Sequence, residues 1–386
     1  MKSSEAETIE REALGRLVVL TNYFGAGQEY VVAGGGNTSW KDRDALYVKG
    51  SGQAMADIGP GGFVRMDRAA LSAIWDREYP VGADERERLV LEGLMAARSA
   101  GEEGKRPSVE TLMHDILPFA FVVHTHPRLV NGLTCGAQGR QAFEGLFGSE
   151  GVWIPLVNPG YLLSKAVKDA VAGFTAARGR APRLVFLENH GIVVSGDDPE
   201  SIKADYERVF GKIEGRGIQT PKCSDASGGS EAEAAFLAEL DPLARASAGD
   251  DRVSILRETG RTAIELSTDD SEFAAIASAF TPDHIVYMGV SPIRVDGPAD
   301  LAAAWRGYEA AYGKAPRVVL SRGLGAFCVG SSEKAADRTR LVFRDALGVS
   351  LASRSFGGPK FMGKEYIDFI RSWEVESYRV KVGDGA

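Results

Sequence analysis

Between residues 216 and 232 the chain reads RGIQTPKCSDASGGSEA, a polar run carrying Gly, Ser and Pro and almost no large apolar side chain. A segment of that kind has nothing to bury and reads as a linker. Each side must then build its own core, and two domains are expected, residues 1–220 and residues 233–386. The chain's 386 residues, 44% hydrophobic and 25% charged, leave both sides enough material to do so.

Charge and cysteine usage narrow the function. The formal charge of −8 excludes a nucleic-acid clamp held by bulk electrostatics. No apolar run reaches the ~18 residues needed to span a bilayer, so no membrane partner is expected. The N-terminal MKSSEAETIEREALGRL is charged and lacks the apolar core of a secretory signal. Cys135, Cys223 and Cys328 lie far apart without CxxC spacing, which argues against a disulfide framework or a zinc ribbon. A reducing, cytoplasmic setting follows.

Ile9, Ala13, Leu17 and Leu20 recur at helical spacing over residues 5–22, predicting a helix that covers a sheet. Short apolar runs between Gly-rich turns then predict antiparallel strands: EYVVAGGGNTSW, ALYVKGSG and GFVRM. Helices are predicted over 67–76 and 84–98, and another from Val109 with Ser108 as its cap. FAFVVHTHP reads as a strand stopped by Pro127, and PRLVFLENHGIVVSGDD as two strands flanking a turn, with a helix from Pro199. Beyond the linker, IVYMGV, RVVLS and AFCVG are strand candidates, with a helix from Glu333 to Ala346. Such mixing predicts an α/β, α+β-layered fold. Laid ungapped on residues 316–344, residues 182–210 share Pro182/Pro316, Arg183/Arg317, Val185/Val319, Gly191/Gly325 and Gly196/Gly330. This is either a duplication, with Leu324 where the first copy has His190, or two similar hairpin-to-helix units.

Three of the five histidines stand where a metal could use them. Residues two apart in a strand share a face, so His124 and His126 can present imidazoles to one ion. His190 arrives from another strand end. Three nitrogens with a fourth position open describe a catalytic Zn²⁺ site, and Mn²⁺ or Co²⁺ would suit the same ligands. Taken alone, His-Thr-His is equally an ordinary pair of strand-end histidines. Glu110, near a helix start, is either a general base or a capping acid. Gly34, Gly35 and Gly36 before Asn37 and Thr38, and the run Lys49, Gly50, Ser51, Gly52, offer donors to a phosphate or simply turn the chain.

Taken together and in order, GGGNTSW, YVKGSG, PSVE, HTHP and ENHGIVVSG resemble the class II aldolase/adducin family over roughly residues 10–215. The resemblance implies a three-layer sandwich around a mainly antiparallel sheet, followed here by a smaller C-terminal α/β domain. It implies His124, His126 and His190 as metal ligands and Glu110 as acid/base. Asn37, Thr38, Lys49, Ser51, Gly52 and Ser108 would hold the substrate phosphate. The implied reaction is the metal-dependent, reversible cleavage of a ketose 1-phosphate, of the rhamnulose or fuculose type, to dihydroxyacetone phosphate and an aldehyde through an enediolate. Epimerisation or dehydration at the same site, or a non-catalytic assembly role, are the alternatives. Family members supply a tyrosine proton donor from a neighbouring subunit; between His126 and His190 this chain has only Tyr161, and the donor stays unassigned. A homo-oligomer, a tetramer by resemblance, is expected.

Residues after the linker, including FTPDHIVY, PRVVLSRGLGAFCVG, FGGPKF and SWEVESY, resemble the segment that follows the aldolase unit in bifunctional rhamnulose-1-phosphate aldolase/alcohol dehydrogenases. Gly323, Gly325 and Gly330 do not have the spacing of a dinucleotide loop, and the chain ends before a dehydrogenase domain, so hydride transfer is not expected. His284, Trp305 and Trp373 are assigned no chemistry.

Overall fold

The computed structural model describes residues 4–225, 229–249 and 252–373; SWEVESY lies outside these from its third residue onward. Two compact units are present. One contains residues up to 130 together with 140–215, and the other residues 131–139 together with 216–372.

The first unit opens with α1 (Ser4–Ala26), the hairpin strands β1 (Asn37–Lys41) and β2 (Ala45–Lys49), and β3 (Phe63–Asp67). It continues through α2 (Arg68–Ile74), α3 (Ala83–Ala96), α4 (Thr111–Ile116) and β4 (Phe121–Thr125). Then come α5 (Arg128–Thr134), whose last residues belong to the other unit, α6 (Gly139–Phe147) and β5 (Gly151–Ile154). α7 (Tyr161–Arg178), β6 (Leu184–Leu187), β7 (Gly191–Gly196) and α8 (Pro199–Glu214) complete it. The sheet runs β3-β2-β1-β4-β7-β6-β5 and is antiparallel except between β5 and β6.

One face of this sheet packs on α4 and α7, where Met113, Leu117, Leu163 and Val167 meet Val122, Val185 and Val193. The other takes α1 and α8: the Phe24 ring packs at a tilt against Tyr206, whose hydroxyl bonds Thr125. This is the expected three-layer sandwich. In α1 the buried stripe is Leu17, Leu20 and Phe24; Ile9, expected on that stripe, is 57% exposed. The predicted first strand begins only at Asn37, because Ala33 and Gly36 have positive φ and turn the preceding EYVV segment out of extended geometry.

The second unit contains α9 (Glu231–Ala248), β8 (Ser254–Glu258), α10 (Arg261–Thr268), α11 (Asp270–Ala274), β9 (Ile293–Val295) and α12 (Pro298–Tyr312). β10 (Val318–Ser321), β11 (Gly325–Gly330), α13 (Glu333–Ser353) and α14 (Lys364–Ser372) follow. The predicted strand IVYMGV is instead a π-helical turn, His284–Met288. Its carbonyls at Val286 and Tyr287 accept from Arg317, and the His284 ring is held by Asp345 at 3.0 Å. An apolar run this short does not reveal its own period, and tertiary partners decide it.

The sheet of the second unit, β8-β11-β10-β9, repeats the order and sense of β4-β7-β6-β5. The likeness extends to single bonds. Ser195 N–H donates to Arg183 O at 2.9 Å and Val329 N–H to Arg317 O at 2.8 Å. His190 N–H donates to Leu187 O and Leu324 N–H to Ser321 O. α7 ends on Gly179 and α12 on Gly313, both left-handed. His124, opposite Val193, thus corresponds to Arg257, opposite Phe327. Arg257 pairs with Glu233 and donates to Leu324 O at 2.8 Å.

Candidate metal centre

β1 and β4 pair so that Asn37 lies opposite His124. Alternation along the strands puts Asn37, Ser39 and Lys41 on the face that carries His124, under α4. His126 follows the last residue of β4 and is held by its N–H donating to Tyr30 O at 3.1 Å. His190 closes the turn between β6 and β7, where Asn189 adopts φ 55°. The next residue must be glycine: a Cβ on Gly191 would stand 2.3 Å from Thr125 O and 2.9 Å from the His126 ring. That close approach brings His190 beside the other two rings.

The three rings lie with centroids 4.8–5.0 Å apart, and their ligand nitrogens fall within 4.8 Å of one another. All three residues are buried. His124 Nδ1 bonds Ile192 O at 3.0 Å, which fixes the ring and leaves Nε2 as the basic nitrogen facing His126 Nε2 at 3.0 Å. Tetrahedral ligation at ~2.0–2.1 Å spaces nitrogens by roughly 3.3 Å, so the donor set and its spacing fit a divalent cation. Glu110 Oε1 stands 3.5 Å from His124 Nε2 and 3.6 Å from His190 Nε2, and its Oε2 accepts from Asn37 Nδ2 at 2.6 Å. Burial alone would raise the Glu110 pKa. The charges of His124 and His190, the Asn37 hydrogen bond and His126 outweigh it and bring the pKa down to about 2. The group is therefore a carboxylate, able to accept a proton.

Residues 16–209 match the family described as Class II Aldolase and Adducin N-terminal domain. The chain belongs to this family. An uncharacterized oxidoreductase of Bacillus subtilis (strain 168), YuxG, is 24% identical over an alignment that covers 94% of this chain and 58% of the relative. The chain thus spans little more than half the length of that curated relative. Among solved structures, the N-terminal class II aldolase domain of a conserved protein from Thermoplasma acidophilum is 25% identical, with a TM-score of 0.43 over 52% of this chain and 91% of that one. An L-fuculose 1-phosphate aldolase is 18% identical, with a TM-score of 0.36 over 55% and 84% of the two chains.

The residues expected to hold phosphate divide in this aldolase-family fold. Gly50 bridges to Pro107 and Ser51 N–H donates to Arg106 O at 2.8 Å, so the Gly50–Gly52 turn lies alongside the segment leading into Ser108. Lys49 Nζ donates to Gln53 O at 2.7 Å and braces that turn. The helix expected from Val109 begins instead at Thr111, because the Ser108 hydroxyl accepts from Glu110 N–H at 3.2 Å and closes a separate turn first. Thr38 requires correction. It faces α1, fully buried, with its hydroxyl 2.6 Å from that of Thr21, because neighbours in a strand point to opposite faces and Asn37 takes the site side. Asn37 is engaged at both ends of its amide, by Glu110 and by His114. Tyr161 packs on Trp75 and Tyr79.

Sequence reasoning passed over His114. It lies one helical turn beyond Glu110, a spacing that places both on one face and could have flagged it. The ring is wholly buried between Ser39 Oγ, 2.7 Å from Nδ1, and Asn37 Oδ1 at Nε2. Burial above all, then the charge of His124, lowers its pKa to about 3, so it is a neutral imidazole.

Proposed function

We propose that the first unit is a metal-dependent carbon–carbon lyase that reversibly cleaves a ketose 1-phosphate to dihydroxyacetone phosphate and an aldehyde. The observation that carries this reading is a buried carboxylate, Glu110, with one oxygen held by Asn37 and the other facing the three-histidine cluster. A divalent cation held by His124, His126 and His190, Zn²⁺ or else Mn²⁺ or Co²⁺, would supply Lewis-acid polarisation of the substrate's carbonyl and hydroxyl oxygens. In the condensation direction Glu110 takes a proton from the hydroxymethyl carbon of dihydroxyacetone phosphate. That carbon then bonds to the aldehyde carbon, the carbonyl electron pair passing to the aldehyde oxygen, which takes a proton from the donor left unassigned above; in cleavage these steps reverse and Glu110 returns its proton to the carbon. The Gly50–Gly52 turn, Lys49 and Ser108 anchor the phosphate and so position the reacting carbon. Catalysis is assigned to the first unit, within residues 1–220, while residues 233–372 belong with 131–139 to the second, α/β unit.

Among the described residues no helix is long and apolar enough to cross a membrane, and a cytoplasmic homo-oligomer, a tetramer, is part of the proposal. The test is elemental analysis of the full chain, followed by incubation with dihydroxyacetone phosphate in D₂O. Bound divalent metal and chelator-sensitive deuterium exchange at the hydroxymethyl carbon support the lyase. Bound metal without exchange points to dehydration or epimerisation at the same residues. A chain that binds no divalent ion would defeat the assignment.

A further inference from the structure

The side chains of Ser39, His114, Asn37 and Glu110 form an unbroken buried line whose hydrogen-bond directions are fixed from its carboxylate end. A carboxylate can only accept, so Asn37 must present its NH₂ to Glu110 Oε2, at 2.6 Å. The other end of that amide, Oδ1, can also only accept, so the His114 nitrogen bonded to it, Nε2, must carry the proton. A neutral ring protonated at Nε2 accepts at Nδ1, and the hydroxyl 2.7 Å away, Ser39 Oγ, is its donor. Burial keeps the ring neutral, with its pKa near 3. The opposite tautomer would turn the Asn37 amide over and set its carbonyl against the Glu110 carboxylate.

We infer that His114 is a positioning residue for Glu110: its Nε2–H, with Nδ1 satisfied by the Ser39 hydroxyl, holds the Asn37 amide in place, and that amide pins Glu110 Oε2 so that Oε1 is the oxygen presented to the three histidines. Glu110 Oε1 faces His124 and His190 at 3.5 and 3.6 Å while Oε2 is the oxygen taken by Asn37. A carboxylate free to rotate would offer its proton-accepting lone pair to the substrate only part of the time. Its basicity would be unchanged while its maximal rate fell. His114 touches neither substrate nor the histidine nitrogens in this scheme. The inference rests on the proton-transfer role proposed for Glu110, but the tautomer it requires does not.

The experiment uses the full-length protein with and without added Zn²⁺. Long-range ¹H–¹⁵N correlation spectra of labelled protein read the His114 tautomer, and deuterium exchange into dihydroxyacetone phosphate reads the base. The expected spectrum shows His114 protonated at Nε2, in Ser39→Ala as in the parent protein. His114→Phe, which fills the space without a donor, should lower the maximal exchange rate on the order of 10²-fold, with half-saturation and metal content unchanged. His114→Gln, whose amide can donate to Asn37 Oδ1, should recover most of that loss. A wild-type ring protonated at Nδ1, or a His114→Phe protein exchanging at the wild-type rate, would overturn the inference. Equal loss of metal and of thermal stability in the Phe and Gln variants would also overturn it, by showing a merely structural ring. Nε2 protonation in a wild-type protein that exchanges no deuterium would support the relay and count against the lyase.

Discussion

Asn37 and His124 stand directly opposite in the β1–β4 ladder, so the amide that holds Glu110 and one ring of the histidine cluster ride on adjacent backbones. The sheet thus sets the spacing between Asn37, which holds the base, and His124 of the cluster. Glu110→Gln preserves shape and the contact with Asn37 while removing the basic oxygen. It should leave metal content unchanged and lower exchange into dihydroxyacetone phosphate by ~10²–10⁴-fold. A Gln variant as active as the parent would remove Glu110 from the chemistry.

Thr38 provides a contrast one residue away. Its hydroxyl bonds across to Thr21 on the α1 side. Thr38→Val should cost about 0.5–1.5 kcal/mol of stability, the usual net worth of one such bond, and leave half-saturation by dihydroxyacetone phosphate where it was. A raised half-saturation would place Thr38 at the anion after all. Urea melts and exchange kinetics on the same preparation decide it.

Lys41 is buried with its ammonium donating to His114 O at 2.7 Å. Burial, followed by the opposing attraction of Asp115 and the repulsion of Arg68, brings its pKa down to about 7 from 10.5. Between those two values the unfolded chain holds a proton that the folded chain has released, so folding stability gains with rising pH across that window. The benefit is complete above 10.5 and lost as pH falls through 7. Chemical denaturation from pH 6.5 to 10 should show this slope, and Lys41→Met should flatten it.

Gly191 and Gly325 occupy matching places in the two sheets, and a methyl at either would meet a carbonyl, Thr125 O at 2.3 Å or Glu258 O at 2.5 Å. Overpacking of this sort costs about 1–3 kcal/mol. Gly191→Ala should also lower metal content, since His126 and His190 are forced apart. Gly325→Ala should destabilise without any such loss. Parallel measurements of melting and bound metal test the pair, and equal metal loss in both would refute the correspondence.

Much of the centre can be read from the chain because its logic is local. His124 and His126 share a strand face by parity, and the Asn189–Gly191 turn that carries His190 announces itself through a glycine where two strands meet. The same parity could have shown that Asn37 and Thr38 cannot serve one site. The spacing from Glu110 could flag His114 but not its role: its partners Ser39 and Asn37 come from β1, 75 and 77 residues away, and only the pairing of β1 with β4 under α4 joins them. The π-helical turn at His284–Met288 was misread as a strand because its bonds to Arg317 and Asp345 come from other elements. The likeness between the two hairpins, visible as five scattered identities, extends in three dimensions to strand order, register and helix caps.

Where the first sheet gathers imidazoles, the second has Arg257, a permanent cation already matched by Glu233. With a cation bound as proposed, the first would draw its positive charge from solution, while the second carries it in its own covalent structure. Ligand linkage makes the stability of a metal-binding unit depend on free ion concentration, by about 2.7 kcal/mol at a hundredfold excess over the dissociation constant. Calorimetry with and without chelator should accordingly move the transition of the histidine-bearing sheet, so that metal supply sets how firmly that sheet holds its fold.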